Sequence, residues 1–147
     1  MNVNVNVKRL HEDAKIPEYA TKGSSGFDLK AIESVYFAPG ETKLIRTGLA
    51  VDLPEGYEIQ IRPRSGVSLK TMLRISNAPG TIDEDYKGEI KIIVTNMGDF
   101  PFVIHEGAEI AQGVLNRVPK AIFNEVNELS ESERGEGGFG STDKEGS

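Results

Sequence analysis

Cysteine is absent from this 147-residue chain, and histidine occurs only twice. Without thiols there are no disulfides, no cysteine nucleophile and no cysteine-ligated zinc. His11 and His105 are too few and too isolated for a metal cluster or for most serine-hydrolase and metallohydrolase schemes, and neither is assigned a role. No apolar run is long enough for a membrane span or a signal-peptide core, the opening MNVNVNVKRL included, so a cytoplasmic protein without membrane contact is expected. Positive charge is also short: 17 Lys and Arg face 23 Asp and Glu, a net charge of -6. Such a surface does not attract the nucleic-acid backbone or anionic lipid, and no nucleic-acid partner is expected. An anionic ligand would have to be met locally, by placed Arg side chains, backbone N–H groups or a bound cation, of which Mg2+ is the natural one. Chemistry is left to carboxylates, hydroxyls and arginine.

The length suits one domain with a single core. Val3, Val5 and Val7 alternate with Asn2, Asn4 and Asn6, which predicts an opening strand. The same period of two runs through Tyr57, Ile59 and Ile61, and through Ile90, Ile92 and Val94, where Ile93 points to burial on both faces. Turn residues recur at Pro39-Gly40, Pro54-Glu55-Gly56, Pro79-Gly80, Met97-Gly98-Asp99 and Glu106-Gly107, a spacing that predicts an antiparallel sandwich or barrel. Helix is expected only over residues 65–72, with Ser65 as a cap, and as a turn within residues 12–19. The last 18 residues, SESERGEGGFGSTDKEGS, carry one large apolar side chain and cannot form a core, so residues 130–147 are expected to be a mobile arm on a domain spanning 1–129.

Three segments have the composition of a functional site. In residues 62–70, RPRSGVSLK, Pro63 ends a strand and Ser65-Gly66 open a helix whose free N–H groups suit phosphate; equally, this is an Arg-rich turn on a surface helix. In residues 77–89, NAPGTIDEDYKGE, Pro79-Gly80 force a turn, Ile82 points inward and Asp83 outward. A strand-anchored carboxylate shielded by Tyr86 can take a proton from water attacking phosphorus, although an acidic solvated loop has the same pattern. In residues 134–142, RGEGGFGST, the glycines let backbone N–H groups converge on anionic oxygens, with Arg134, Ser141 and Thr142 as further donors. The segment lacks the order of a P-loop and is otherwise a flexible linker in which Phe139 is out of place.

Read in order, GFDLKA (26–31), PRSG (63–66), NAPGTIDEDYKGEIK (77–91), EGAEIAQ (106–112) and RGEGGFGST resemble the five motifs of the homotrimeric dUTPase family. The resemblance implies an all-β, jelly-roll-like subunit with one short helix, assembled as a homotrimer with three sites at subunit junctions and the C-terminal arm closing over a site. It implies hydrolysis of dUTP to dUMP and pyrophosphate, which limits uracil incorporation into DNA and supplies dUMP for dTMP synthesis.

Under that resemblance Asp83 is the base that activates water for in-line attack on the α-phosphorus. Tyr86 packs beneath deoxyribose and excludes a 2′-hydroxyl. The uracil edge is read by the backbone of residues 88–91, Lys91 included, with Asn77 nearby, and Gly80, Thr81 and Ile82 are further substrate-binding residues. Arg64, Ser65, Gly66 and Gln112 contact phosphate. Arg134, Gly140, Ser141 and Thr142 clamp the triphosphate while Phe139 covers uracil. Asp28 supports Mg2+ through water, the ion sitting mainly on phosphate oxygens. The departures are Glu109 in place of Arg, Gly113 in place of a bulky aliphatic residue, and Asp143 in place of Gly, which put local packing and arm mobility in question. A related class deaminates dCTP, and GTIDEDYKGE favours the hydrolase over it. A nucleotide-responsive interaction role, in which dUTP closes the arm and alters a surface for a protein partner, is a further alternative.

Overall fold

The structure, a computed structural model, describes residues 1–142. Among these the expected all-β architecture holds. The strands are β1 (Asn6–Arg9), β2 (Phe27–Lys30), β3 (Val35–Phe37), β4 (Thr42–Arg46), β5 (Leu49–Asp52) and β6 (Tyr57–Arg62), then, after the helix α1 (Ser65–Lys70), β7 (Leu73–Ile75), β8 (Gly80–Ile82), β9 (Lys91–Asn96), β10 (Phe102–Ile104) and β11 (Glu109–Arg117). Every pairing is antiparallel: β1 with β5, β10 with β3, a four-stranded sheet β2-β11-β6-β8 and a three-stranded sheet β4-β9-β7.

Alternation places the core. Ile59 and Ile61 of β6, Leu29 of β2, Ala111 of β11 and Ile82 of β8 are buried from the larger sheet; Ile45, Ile92, Val94 and Leu73 are buried from the smaller, with Phe37 fully enclosed. Complete burial of each large aliphatic side chain is worth about 1.5–3 kcal/mol. Ile93 is only half-buried, because it faces away from the core opposite Leu44, which is itself exposed.

Several boundaries differ from those expected. β9 begins at Lys91 because the N–H of Ile90 donates to the Leu49 carbonyl at 2.7 Å and its carbonyl accepts from Thr47, tying it to the neighbouring connection. β1 is confined to Asn6–Arg9, since its partner β5 ends at Asp52 opposite Asn6; Val3 and Val5 are nonetheless half-buried and the asparagines exposed, as alternation requires. Residues 12–19 hold the expected turn only at their start, where the Ala14 N–H donates to the His11 carbonyl at 3.1 Å, and form no helix beyond it. Pro17 removes a donor there, and Tyr19 instead bridges Phe27, their rings meeting edge to face at 5.8 Å. Ser65 is the first helical residue, not the cap: Arg64, at φ -94° and ψ 136°, holds the N-cap position and makes no side-chain cap bond. The helix ends before Met72 because Thr71 is extended and its hydroxyl bonds back to the Val67 carbonyl at 2.6 Å.

Gly113 is explained by its neighbours. A Cβ there would stand 2.4 Å from Cε2 of Phe27 and 3.2 Å from Cγ2 of Ile59, so the Phe27 ring fills the volume that a bulkier residue would occupy. Gly113→Val is expected to destabilise the fold by about 1–3 kcal/mol, measured by denaturant unfolding, and Gly113→Val with Phe27→Leu to recover part of it.

Candidate functional site

The four-stranded sheet gathers most of the singled-out residues. Asp28 of β2 lies opposite Gln112 of β11, which lies opposite Arg62 of β6. Beyond Arg62 the chain passes Pro63 into Arg64, Ser65 and Gly66, with Ser65 and Gly66 exposed at the start of α1. The Gln112 amide donates to the Pro63 carbonyl at 2.9 Å and so holds this turn in place. Gly26 makes room for it, since a Cβ at that position would lie 2.3 Å from the Gln112 side-chain oxygen.

Arg64 is the centre of an ion cluster. Its Nε lies 3.0 Å from Asp28 Oδ1, its Nη2 3.0 Å from Glu109 Oε2, and its Nη1 donates to the Glu109 carbonyl at 3.2 Å. Lys30 stands 4.0 Å from the other Glu109 oxygen. Two cations and two anions cancel, so the cluster adds no net attraction for an anion to a chain already carrying -6.

Asp83 sits at the end of β8. Gly80 is buried against Ile61 and close to the Asn77 amide, Thr81 is exposed, Ile82 is buried, and Asp83 follows exposed, the inward-outward order the sequence implied. Two of its charged neighbours have structural duties. Glu84 accepts from the Gly56 N–H at 3.0 Å, and Lys87 pairs with Asp52 at 2.8 Å. A backbone turn joins Tyr86 N–H to the Asp83 carbonyl at 3.1 Å, while the Tyr86 hydroxyl donates to the Glu89 carbonyl at 2.7 Å. The ring is thus tied across its own loop to Glu89, and Gly88 leaves it space: a Cβ at Gly88 would be 2.6 Å from the hydroxyl. Asp83 remains exposed.

Glu89 braces the loop from the other side. Burial pushes its carboxyl upward, but Arg46, bound through both Nε and Nη2, and the Gly48 N–H outweigh this and hold it below the usual 4.5. A depressed folded-state value stabilises the fold above the unfolded value and is lost as pH falls through the folded one. The melting temperature is therefore expected to decline as pH drops below about 4.5, and Glu89→Gln is expected to flatten part of that decline when the two proteins are melted side by side.

Strand register separates the two halves of the candidate site. Ile82 pairs with Ile59, which puts Asp83 beside Glu58, whereas Asp28 and Gln112 align with Arg62 four residues further along β6. At ~3.3 Å per residue this is ~13 Å, with Arg64 and Ser65 beyond it. A single copy does not bring Asp83 and Arg64 to one reacting atom.

The profile of the dUTPase family matches residues 12–143. The chain belongs to the dUTPase family. A deoxyuridine 5′-triphosphate nucleotidohydrolase of Clostridioides difficile is 51% identical over 139 residues, covering 95% of this chain and 97% of that protein. Among solved structures, a mutant dUTPase of Staphylococcus bacteriophage 80alpha with dUpNHpp superimposes with a TM-score of 0.90 at 32% identity, covering 96% of this chain and 99% of that one. A mutant dUTPase of phage phi11 of S. aureus, described for its coordination of a structural Mg(II) ion, gives a TM-score of 0.80 at 29% identity over 86% of this chain and 99% of that one.

The family's fifth motif lies on the C-terminal stretch, where residues 119–142 are exposed apart from the half-buried Gly137 and Gly138, an exposure that begins ahead of the change in composition at residue 130. Its hydrogen bonds are local: Arg134 Nε donates to the Gly137 carbonyl at 2.6 Å, the Ser141 N–H to the Gly138 carbonyl at 3.0 Å. Phe139 is fully exposed and has φ 51°, a left-handed conformation that a side chain rarely adopts. Gly140, Ser141 and Thr142 continue the turn; Asp143 lies outside the described residues. Among the described residues no three of His, Cys, Asp and Glu converge on one point, and no helix is long and apolar enough to cross a membrane. Asp28 and Glu109 offer hard oxygen donors on either side of Arg64, which fits an ion brought in on phosphate rather than one caged by protein.

Sequence reasoning missed the tie from Glu89 to Arg46 and the service of Gly26 to Gln112. Partners 43 residues apart leave no local periodicity, and Gly26 reads as ordinary turn glycine until β11 is laid beside β2. Glu109 stood out in the sequence, but its pairing with Arg64 did not.

Proposed function

We propose that this chain hydrolyses dUTP to dUMP and pyrophosphate, in sites assembled from several copies. The observation that carries the reading is Asp83, exposed at the end of β8 on a buried Ile82 anchor, in a chain whose residues 12–143 match the dUTPase family. Asp83 accepts a proton from water as it attacks the α-phosphorus in line, and pyrophosphate leaves. Tyr86, fixed by its bond to Glu89, is the platform beneath deoxyribose and leaves no room for a 2′-hydroxyl. Asn77, Gly80, Thr81, Ile82 and the backbone through Lys91 frame the base. Arg64, Ser65, Gly66 and Gln112 of an adjacent copy hold phosphate, the register along β6 being the reason they come from another copy. A homotrimer is the assembly proposed. The arm of residues 130–147 supplies Arg134, Gly140, Ser141 and Thr142 as donors and lays Phe139 over uracil. Its 18 residues span up to ~60 Å when extended, enough to reach a neighbour.

Mg2+ bound with the nucleotide would supply positive charge that the chain lacks beside the phosphates. Asp28 steadies this region through water and through Arg64. The test is incubation with Mg2+ and dUTP, dCTP, dTTP or UTP separately, following pyrophosphate and ammonia. Pyrophosphate from dUTP at a rate at least ~100-fold above the other three is expected; ammonia from dCTP, or no pyrophosphate from dUTP, contradicts the reading.

A further inference from the structure

We propose that Glu109 is an internal competitor for Arg64: it occupies the guanidinium until a phosphate group displaces it, and thereby makes triphosphate binding depend on a divalent cation. The inference rests on the phosphate role of Arg64 proposed above.

All three guanidinium nitrogens are already engaged by protein oxygens. Nε meets Asp28 Oδ1 at 3.0 Å, Nη2 meets Glu109 Oε2 at 3.0 Å, and Nη1 meets the Glu109 carbonyl at 3.2 Å. Phosphate is held best by two parallel N–H donors; one further N–H remains on each Nη, but Glu109 already contacts both of these nitrogens, so a phosphate seeking a parallel pair competes with a protein carboxylate for the guanidinium. Asp28 is the poorer candidate, with its side chain 20% exposed in the ladder between β2 and β11. Glu109 is 39% exposed and stands at the start of β11, where exposed ion pairs are weak and readily exchanged.

The placement of Glu109 has a backbone cause. The register of β11 on β2 passes from Glu109 opposite Lys30 to Ala111 opposite Leu29, and Ile110 is the extra residue. Ile110 is buried, which commits the strand to this irregularity, and such bulges re-aim neighbouring side chains. The Glu109 carboxylate is carried to Arg64 on one side and Lys30 on the other. The cluster borders an open cleft of about 460 Å³ lined also by Lys15, Glu18 and Tyr19.

Displacement leaves the carboxylate beside the incoming phosphate, and two like charges a few Å apart repel. An ion riding on the phosphate neutralises that repulsion. Glu109 acts through Arg64, so it is a positioning residue. Removing its charge strengthens binding of the metal-free ligand far more than of the metal-bound one.

Calorimetric titration of dUpNHpp and of inorganic tripolyphosphate, in EDTA and in Mg2+, tests this. Glu109→Gln keeps the shape of the side chain and is expected to tighten Mg2+-free binding about tenfold while changing Mg2+-bound affinity by less than about threefold. Lys30→Met, which leaves Glu109 more firmly on Arg64, is expected to weaken Mg2+-free binding about threefold. These opposite signs do not follow from damage to the fold. If the unaltered chain binds dUpNHpp and neither substitution changes the ratio of the two affinities, the competitor role of Glu109 is overturned alone. If the unaltered chain fails to bind dUpNHpp in Mg2+, the dUTPase reading falls and takes this inference with it.

Discussion

Asp83→Asn is expected to slow dUTP turnover by about 10²- to 10⁴-fold while leaving the affinity for dUpNHpp within a few-fold of the unaltered protein. The asparagine keeps size and polarity and loses the ability to accept a proton from attacking water, so the effect belongs in kcat. Asp83 is exposed, and the contacts that hold its loop belong to its neighbours: Glu84 on Gly56, Lys87 on Asp52, Tyr86 on Glu89. The melting temperature is accordingly expected to change little, as for surface substitutions in general. A variant that loses binding and turnover equally would make Asp83 a ligand contact and leave the base unassigned. Single-turnover rates with saturating dUTP, set beside calorimetric dUpNHpp affinities, separate the two.

Ending the chain after Glu133 is expected to lower kcat by about 10²-fold with little effect on thermal stability. Stability is indifferent because the described part of the arm is exposed but for the half-buried Gly137 and Gly138, and it bonds only to itself: Arg134 to Gly137, Ser141 to Gly138. Turnover suffers because the arm carries the donors proposed to clamp the triphosphate and the ring proposed to cover the base. An aromatic side chain as exposed as Phe139, in a left-handed conformation, gains nothing from the copy it belongs to. Its proposed worth lies on another copy. Phe139→Ala alone is expected to cost less than the truncation, since the phosphate donors remain. A truncated chain with full turnover would refute the lid.

What could be read from residue order alone was whatever depends on local pattern. The alternation through Tyr57, Ile59 and Ile61 became β6, and the inward-outward step from Ile82 to Asp83 became the end of β8. Boundaries went astray where distant partners decided them: Thr47 and Leu49 drew Ile90 out of β9, and Asp52 ended the ladder of β1. Ser65 looked like a helix cap because its residue type is right, but the chain reaches α1 through an extended Arg64 whose guanidinium is held by Asp28 and Glu109, and the helix starts without a side-chain cap. Gly113 looked like a packing defect until Phe27 was seen to fill it. Of the candidate site, the motifs were legible, but the separation of Asp83 from Arg64 was not. It follows from the pairing of β6 with β8 and β11, which no single stretch of sequence encodes.

That separation leads to the measurement that bears hardest on a site shared between copies. Asp83→Asn and Arg64→Ala chains, each carrying a different tag, are co-expressed and isolated as mixed assemblies by successive affinity steps. Each variant alone is expected to be nearly inactive. In every trimer that contains both chains, one of the three sites combines an intact Asp83 from one chain with an intact Arg64 from another, and about a third of the unaltered activity is expected to return. Mixed assemblies no more active than the two variants measured separately would place Asp83 and Arg64 of one chain in the same site, and would contradict the composite site.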